Sequence, residues 1–153
     1  MNSFQHIPVL GKQVLEAIKP YSGGIYIDGT LGGGGHSSLI LEASAPDGIL
    51  LGIDRDSDAL AAAGERLADY GDRFIKAKGN YCDMSALAAA HGISRVDGIL
   101  LDIGVSSYQL DEASRGFSYM NDALLDMRMD RSQGVTAADI VATYSKDSIC
   151  SSK

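Results

Sequence analysis

No run of about 18 apolar residues occurs in the chain, so no segment is long and oily enough to cross a bilayer as a helix. The first residues, Met1 to His6, lack a basic stretch followed by an apolar one; no secretory signal is visible, and a cytoplasmic location with no membrane partner is expected. Cysteine is scarce. Cys82 and Cys150 stand far apart and outside any Cys-x-x-Cys spacing, which argues against a structural zinc site and against a disulfide scaffold, and leaves two packed or free thiols. Positive charge is also short: 13 lysines and arginines face 20 acidic residues, for a net charge of -7. That sign weighs against a module that holds nucleic acid unaided, although an enzyme touching RNA through one local patch stays open.

What is present is one domain's worth of sequence. At 153 residues, with 45% hydrophobic and 22% charged side chains, the chain can bury about two thirds of its unfolded surface in one core. Four apolar runs have the character of parallel strands covered on both faces: Gly24 to Asp28, Ile49 to Asp54, Arg73 to Ala77 and Gly98 to Ile103. Helical stretches separate them, from Ser37 to about Ala43, Ser57 to about Tyr70 and Ser85 to about His91. Before the first strand, Leu10, Val14, Leu15 and Ile18 recur at helical spacing and predict an amphipathic helix on the sheet's edge. After the fourth, the chain is loop-rich from Gly104 to Gly134, and Thr136 with Asp139 then forms a capping pattern for a helix toward Tyr144. Alternating strand and helix predict a doubly wound α/β sheet.

In such sheets chemistry collects at the carboxyl ends of the strands, where Asp28, Asp54 and Asp102 are expected to stand. Capping of the following turns is the structural alternative for each. Asp54 follows Gly32 by 22 residues, close to the spacing at which an acidic side chain accepts from ribose hydroxyls. Between the first strand and its helix lies Asp28-Gly29-Thr30-Leu31-Gly32-Gly33-Gly34-Gly35-His36-Ser37. A phosphate-binding P-loop needs lysine after its second glycine, and none is there; in a GxGxxG frame Ser37 takes the third glycine's place. An aspartate at the strand end disfavours a pyrophosphate and favours an ammonium group, so the turn suits S-adenosylmethionine better than a dinucleotide. A merely flexible glycine loop is the alternative.

Several stretches together resemble the bacterial small-subunit ribosomal RNA methyltransferase H family, also called MraW. They are His6 to Leu10, Asp28 to Ser37, Ile53 to Asp56, Asp97 to Ser107, Arg115 to Ser118 and Leu125 to Asp130, and the likeness runs from about His6 to Ser145. The resemblance implies a Rossmann-like S-adenosylmethionine-dependent methyltransferase fold in residues 1–145, with residues 146–153 a divergent, disordered tail. It implies methylation of the exocyclic N4 of a cytosine in the decoding region, with ribosomal RNA of the small subunit as partner and a homodimer left open. Carried over by motif, cofactor contacts fall on Gly34, Gly35, His36, Asp54, Tyr81, Asp102 and Gln109. Asp54 would hold the ribose, Tyr81 would wall the adenine, and Asp102 and Gln109 would orient the ligand; outside the resemblance, Tyr81 reads as a packing residue and Gln109 as a loop amide. No metal is implied.

Transfer of a methyl group to an amino nitrogen needs in-line positioning and a proton acceptor, not a covalent nucleophile, so Cys82 reads as a packing thiol. The Asp/Asn-Pro-Pro-aromatic motif of many amino-methylating enzymes is absent, and no catalytic acceptor is assigned. Arg115, Arg128 and Arg131 are mixed with Asp122, Asp126 and Asp130, which fits a substrate-contacting lid and an internally paired loop equally. Gly33 stands where the family commonly has arginine, and Tyr108 where it has proline. Family members are roughly twice as long, so the sheet is expected to be incomplete and the chain a truncated or frameshifted product that methylates poorly or not at all. A cofactor-binding remnant, a small-molecule methyltransferase and a dinucleotide oxidoreductase are the other readings.

Overall fold

In the computed structural model, which describes residues 8–132 and 134–151, the four apolar runs form a parallel sheet in the order β3-β2-β1-β4. The first helix, α1 (Gly11–Ile18), precedes β1 (Ile25–Asp28); α2 (Gly35–Ala43) leads to β2 (Ile49–Asp54) and α3 (Ser57–Arg66) to β3 (Phe74–Lys78). Then α4 (Met84–Ala90) returns the chain to β4 (Gly98–Leu100) on the far side of β1. The order of strands thus reverses between β1 and β4, the switch point where such sheets bind ligands.

The strands alternate their side chains between two apolar layers. Tyr26 and Leu50 join Leu31, Ile40, Leu41, Leu60, Ala63 and Leu67, the layer of α2 and α3, while Ile27, Leu51 and Ile53 join Ala77, Ala88 and Ile93, the layer of α4. β2 is buried on both faces, as a central parallel strand must be. Its Gly52 makes room for the glycine turn: a Cβ there would lie 2.7 Å from Leu31 Cδ1 and 3.0 Å from the Phe74 ring. α1 lies against α2, with Leu15 and Ile18 on the first layer and Ile18 reaching Gly98 of β4. α3 begins at Asp56, whose carboxylate accepts from the amide of Asp58 at 3.0 Å, and carries Asp58 in its first turn and Arg66 in its last, complementing the helix dipole.

Strand and helix ends otherwise shift by one or two residues from the sequence reading, and three differences are larger. The helix expected from Ser57 to Tyr70 stops at Arg66 and continues as a 3₁₀ segment, Ala68–Arg73, kinked at Gly71 with φ of 55°. β4 ends at Leu100, so Asp28 and Asp54 close strands but Asp102 lies two residues beyond one. The stretch expected to be a disordered tail contains α7 (Lys146–Ser151), started by Ser145, whose hydroxyl accepts from the amide of Ser148 at 3.2 Å.

Residues up to Ile103 form one compact unit and those from Gly104 a second, a division inside the span expected to be one domain. The second unit contains α5 (Ser107–Asp111), a 3₁₀ turn at Ala113–Arg115 and α6 (Ala137–Thr143). Thr136 and Asp139 form the expected capping box at α6. Among the described residues the buried ones of this unit are both polar, Gln109 and Arg115. No helix of the described residues is long and apolar enough to cross a membrane.

Candidate functional site

The turn between β1 and α2 is tied to every strand end around it. Its backbone reaches both neighbours of β1: Gly29 donates to the carbonyl of Leu100 at 2.9 Å and Leu31 to that of Ile53 at 3.0 Å. Asp54, at the end of β2, accepts from the amide of Gly32 at 2.8 Å through one carboxylate oxygen and from that of Asp56 at 2.9 Å through the other. On the opposite side, the Thr30 hydroxyl accepts from the amide of Asp102 at 2.7 Å. Tyr81, half-buried at the start of a 3₁₀ turn after β3, brings its Cβ within 3.1 Å of where Gly29 would carry one. Glycine at position 29 is what lets Tyr81 and Leu101 close on the turn, since an added Cβ would also meet Leu101 Cδ2 at 2.5 Å.

Asp28 has a different place from the one its position in sequence suggests. Its side chain is 1% exposed, one oxygen accepting from the Ser37 hydroxyl at 2.7 Å and the other from the amide of Thr30 at 3.2 Å. Burial pushes its pKa up, against the lowering effect of those two donors, so the carboxylate binds the turn together from beneath and does not face a ligand. The negative charge that suits an ammonium group therefore comes from Asp54, partly exposed, and Asp102, exposed. The Asp102 carboxylate has no hydrogen bond or ion pair with the described residues, and the Asp54 oxygens, with one donor each, retain lone pairs for ribose hydroxyls.

Ser37, noted in the sequence only as standing in the third glycine's place, and Thr30 are site-building residues whose roles the sequence left unassigned. Ser37 occupies the slot of the third glycine because it is small enough for close helix-to-strand packing and its hydroxyl satisfies the buried Asp28. An acidic residue ending a strand with serine at that slot is the signal that could have shown it.

At the N-terminus of α2 the capping residue is Gly34, with φ of 74° and no side chain to cap. Gly34 donates to the Leu31 carbonyl and Ser38 to the Gly34 carbonyl, both at 2.9 Å, while the amides of Gly33, Gly35 and His36 have no acceptor among the described residues. Those donors and the helix dipole could hold an anionic group such as a carboxylate. Gly33 faces open space, with no atom within 4 Å of an added Cβ. The His36 ring is engaged elsewhere, Nε2 donating to the carbonyl of Val9 at 2.9 Å, so this residue offers a ligand its backbone. Replacing Gly33 with arginine, the residue common in the family at this position, should change stability by less than about 0.5 kcal/mol in a thermal melt.

The fold of the first unit thus gathers Gly34, Gly35, His36, Asp54, Tyr81 and Asp102 around one turn. Gln109 belongs to the second unit, where it is buried and its side chain is used locally: Oε1 accepts from the amide of Ser106 at 3.0 Å, closing the capping box of α5. Cys82 is exposed, not packed, and Cys150 is likewise free and exposed.

The arginine and aspartate loop is internally paired. Arg115, 1% exposed, donates through Nη2 to the carbonyls of Arg128 at 3.0 Å and Met129 at 3.3 Å. The guanidinium of Arg128 grips Asp126 with two bonds of 2.8 Å, and the carbonyls of Leu125 and Asp126 accept the first amides of α6. Arg128 holds the Asp126 carboxyl down to about 2 from an ordinary 3.8. A depressed carboxylate stabilises the fold above its unfolded pKa and loses that contribution as pH falls through its folded value. The loop contact should thus be intact at pH 5 and dissolve toward pH 2; in an acid titration the Arg128 Nε–H resonance should move with a midpoint near 2, and Asp126→Asn should abolish the transition.

Known proteins share both the sequence and the architecture. The model of the MraW methylase family matches residues 3–151. The chain is 54% identical over 146 residues to the ribosomal RNA small subunit methyltransferase H of Syntrophotalea carbinolica, covering 95% of this chain and 46% of that protein. To the protein of the same name in Geotalea daltonii it is 54% identical over 150 residues, 98% of this chain and 48% of the other. The chain spans about half the length of these curated relatives. Among solved structures, the C-terminal domain of precorrin-6Y C5,15-methyltransferase from Rhodobacter capsulatus superposes with a TM-score of 0.52 at 20% identity, over 69% of this chain and 54% of that one. NSun6 from Pyrococcus horikoshii with SFG gives 0.51 at 17% identity, over 68% and 29%. These two likenesses are of fold, a Rossmann-like methyltransferase sheet. With the glycine turn, Asp54 and Asp102 inside a match that runs almost from end to end, the chain belongs to the MraW methylase family.

Proposed function

We propose that the chain binds S-adenosylmethionine at the turn from Asp28 to Ser37 and forms the cofactor half of an enzyme that methylates small-subunit ribosomal RNA, at the exocyclic N4 of a cytosine in the decoding region. One observation carries the cofactor assignment: acceptor-less amides at Gly33, Gly35 and His36 lie in the same turn whose Gly32 is held by Asp54. That pairing offers donors for a carboxylate on one side and acceptors for ribose hydroxyls on the other, the two ends of S-adenosylmethionine. A pyrophosphate would meet the exposed Asp102 carboxylate with charge of its own sign, whereas an ammonium group would be attracted by it.

When bound, the cofactor supplies an electrophilic methyl group on a sulfonium. Asp54 would hold the ribose, Tyr81 would flank the adenine, and Gly33, Gly35 and His36 would bind the methionine carboxylate through backbone N–H groups. Asp102 would present its carboxylate to the cationic end of the ligand. Gln109, committed to its capping box, would act by shaping α5, not by direct contact. The target base has to be unstacked for its amino group to reach the site. Such a reaction belongs in the cytoplasm, with the small ribosomal subunit as partner.

A second reading is cofactor binding without turnover by these residues alone, since no proton acceptor for the reaction is assigned among them. Radiolabelled methyl transfer to undermethylated small ribosomal subunits, run beside the Syntrophotalea carbinolica relative, separates the two. Incorporation at the same cytosine supports the enzyme; cofactor binding with no incorporation supports the binding module.

A further inference from the structure

β4 is the shortest strand of the sheet, and the chain leaves the ladder at Leu100, whose carbonyl accepts from the amide of Gly29 at 2.9 Å. In a parallel ladder every second residue bonds to the neighbouring strand, so Asp102 is the next to need an acceptor. β1 has ended at Asp28, and no backbone carbonyl takes that place: the Thr30 hydroxyl accepts from the Asp102 amide at 2.7 Å instead. Among the described residues this is the one hydrogen bond made by residues 101–103, all of which are exposed. Burial fixes the segment only in part, and the direction of the Asp102 carboxylate depends on one side chain of the turn.

Thr30 is itself held from below. Its amide donates to one oxygen of the buried Asp28 at 3.2 Å, and the other oxygen accepts from Ser37, in the first turn of α2, at 2.7 Å. Ser37, Asp28, Thr30 and Asp102 thus form a line of hydrogen bonds that runs from α2, beneath the turn, to the segment after β4. At one end stand the amides of Gly33, Gly35 and His36. At the other stands a carboxylate with no hydrogen bond or ion pair among the described residues.

We propose that Thr30 is a positioning residue: its hydroxyl aims the Asp102 carboxylate at the cationic amino-acid end of the cofactor, and so favours a ligand that carries that end. The inference rests on the S-adenosylmethionine reading and adds to it a residue that acts through Asp102.

The test compares two ligands by calorimetry, S-adenosylmethionine and 5′-methylthioadenosine, which keeps adenine and ribose but has no amino-acid arm. Thr30→Val should weaken S-adenosylmethionine about tenfold, the scale of one lost hydrogen bond, and leave methylthioadenosine within about twofold. Water can take over the exposed amide, so this variant should melt within a few degrees of the parent. Thr30→Ser, which restores the hydroxyl, should recover the parent affinity to within about threefold. In an Asp102→Asn background Thr30→Val should cost less than about twofold, because the two residues act as one unit. The Asp102 amide should also exchange with solvent about tenfold faster in Thr30→Val than in the parent or in Thr30→Ser.

Equal loss for both ligands overturns the proposal, since a merely loosened turn would produce it. So does a serine variant as weak as the valine one, or a loss that persists undiminished in Asp102→Asn. A parent that does not bind S-adenosylmethionine sinks the cofactor reading; a parent that binds it no better than Thr30→Val sinks the positioning role alone.

Discussion

Asp54→Ala is expected to weaken S-adenosylmethionine binding about 100-fold while the protein stays folded. Two losses add. The ribose loses its charged acceptor, and hydrogen bonds to charged groups contribute about 1.5–3 kcal/mol each, where roughly 1.4 kcal/mol is a factor of ten. The turn also loses the bond that holds the Gly32 amide at 2.8 Å and sets the path of Gly33 and Gly34. Because Asp54 is at the exposed end of β2 and not in either apolar layer, its removal should shift the melting temperature little. Calorimetry and a thermal melt on the same sample distinguish this outcome from general unfolding. An affinity within threefold of the parent would remove Asp54 from the site.

Gly34→Val is expected to act on the fold first and on binding as a consequence. Position 34 has φ of 74°, which valine resists, and its Cβ would lie 3.0 Å from Leu67 Cδ1 and 3.3 Å from the Ala63 Cβ. Strain of about 1–3 kcal/mol for the backbone combines with overpacking of similar size against two residues of the first layer. A total near 3 kcal/mol lowers the melting temperature by roughly 12–24 °C for a unit of about 100 residues. Gly33, one residue earlier, is the control: its backbone has no positive φ and its Cβ direction is open. Equal effects at both positions would mean that flexibility, not the left-handed cap of α2, is what glycine supplies here.

Much of the site was legible because it is written locally. The strand Ile49–Asp54 keeps the limits its apolar run suggests, since burial on both faces leaves no polar position to blur them. Asp54 stands at the end of that strand because the spacing of a βαβ unit places it there. Asp28 was misread for the opposite reason. Its burial depends on Ser37, one helical turn into α2, and a hydroxyl partner cannot be told from a solvent-facing serine by pattern alone. The bond from Asp102 to Thr30 joins residues far apart in the chain, so nothing local announces that a threonine sets the path after β4. In the second unit, Arg115 and Gln109 are the buried residues among those described, both polar, and charge composition alone leaves pairing and exposure equally open. The helix Lys146–Ser151 escaped because a single serine cap, not periodicity, starts it.

On the proposed reading, the turn from Asp28 to Ser37 is an S-adenosylmethionine site. Calorimetric titration of the chain with S-adenosylmethionine and, separately, with NADH tests it most directly. Saturable binding of S-adenosylmethionine at one site, lost in Asp54→Ala, with no heat from NADH, is the expected result. Tight NADH binding with no response to S-adenosylmethionine would contradict it.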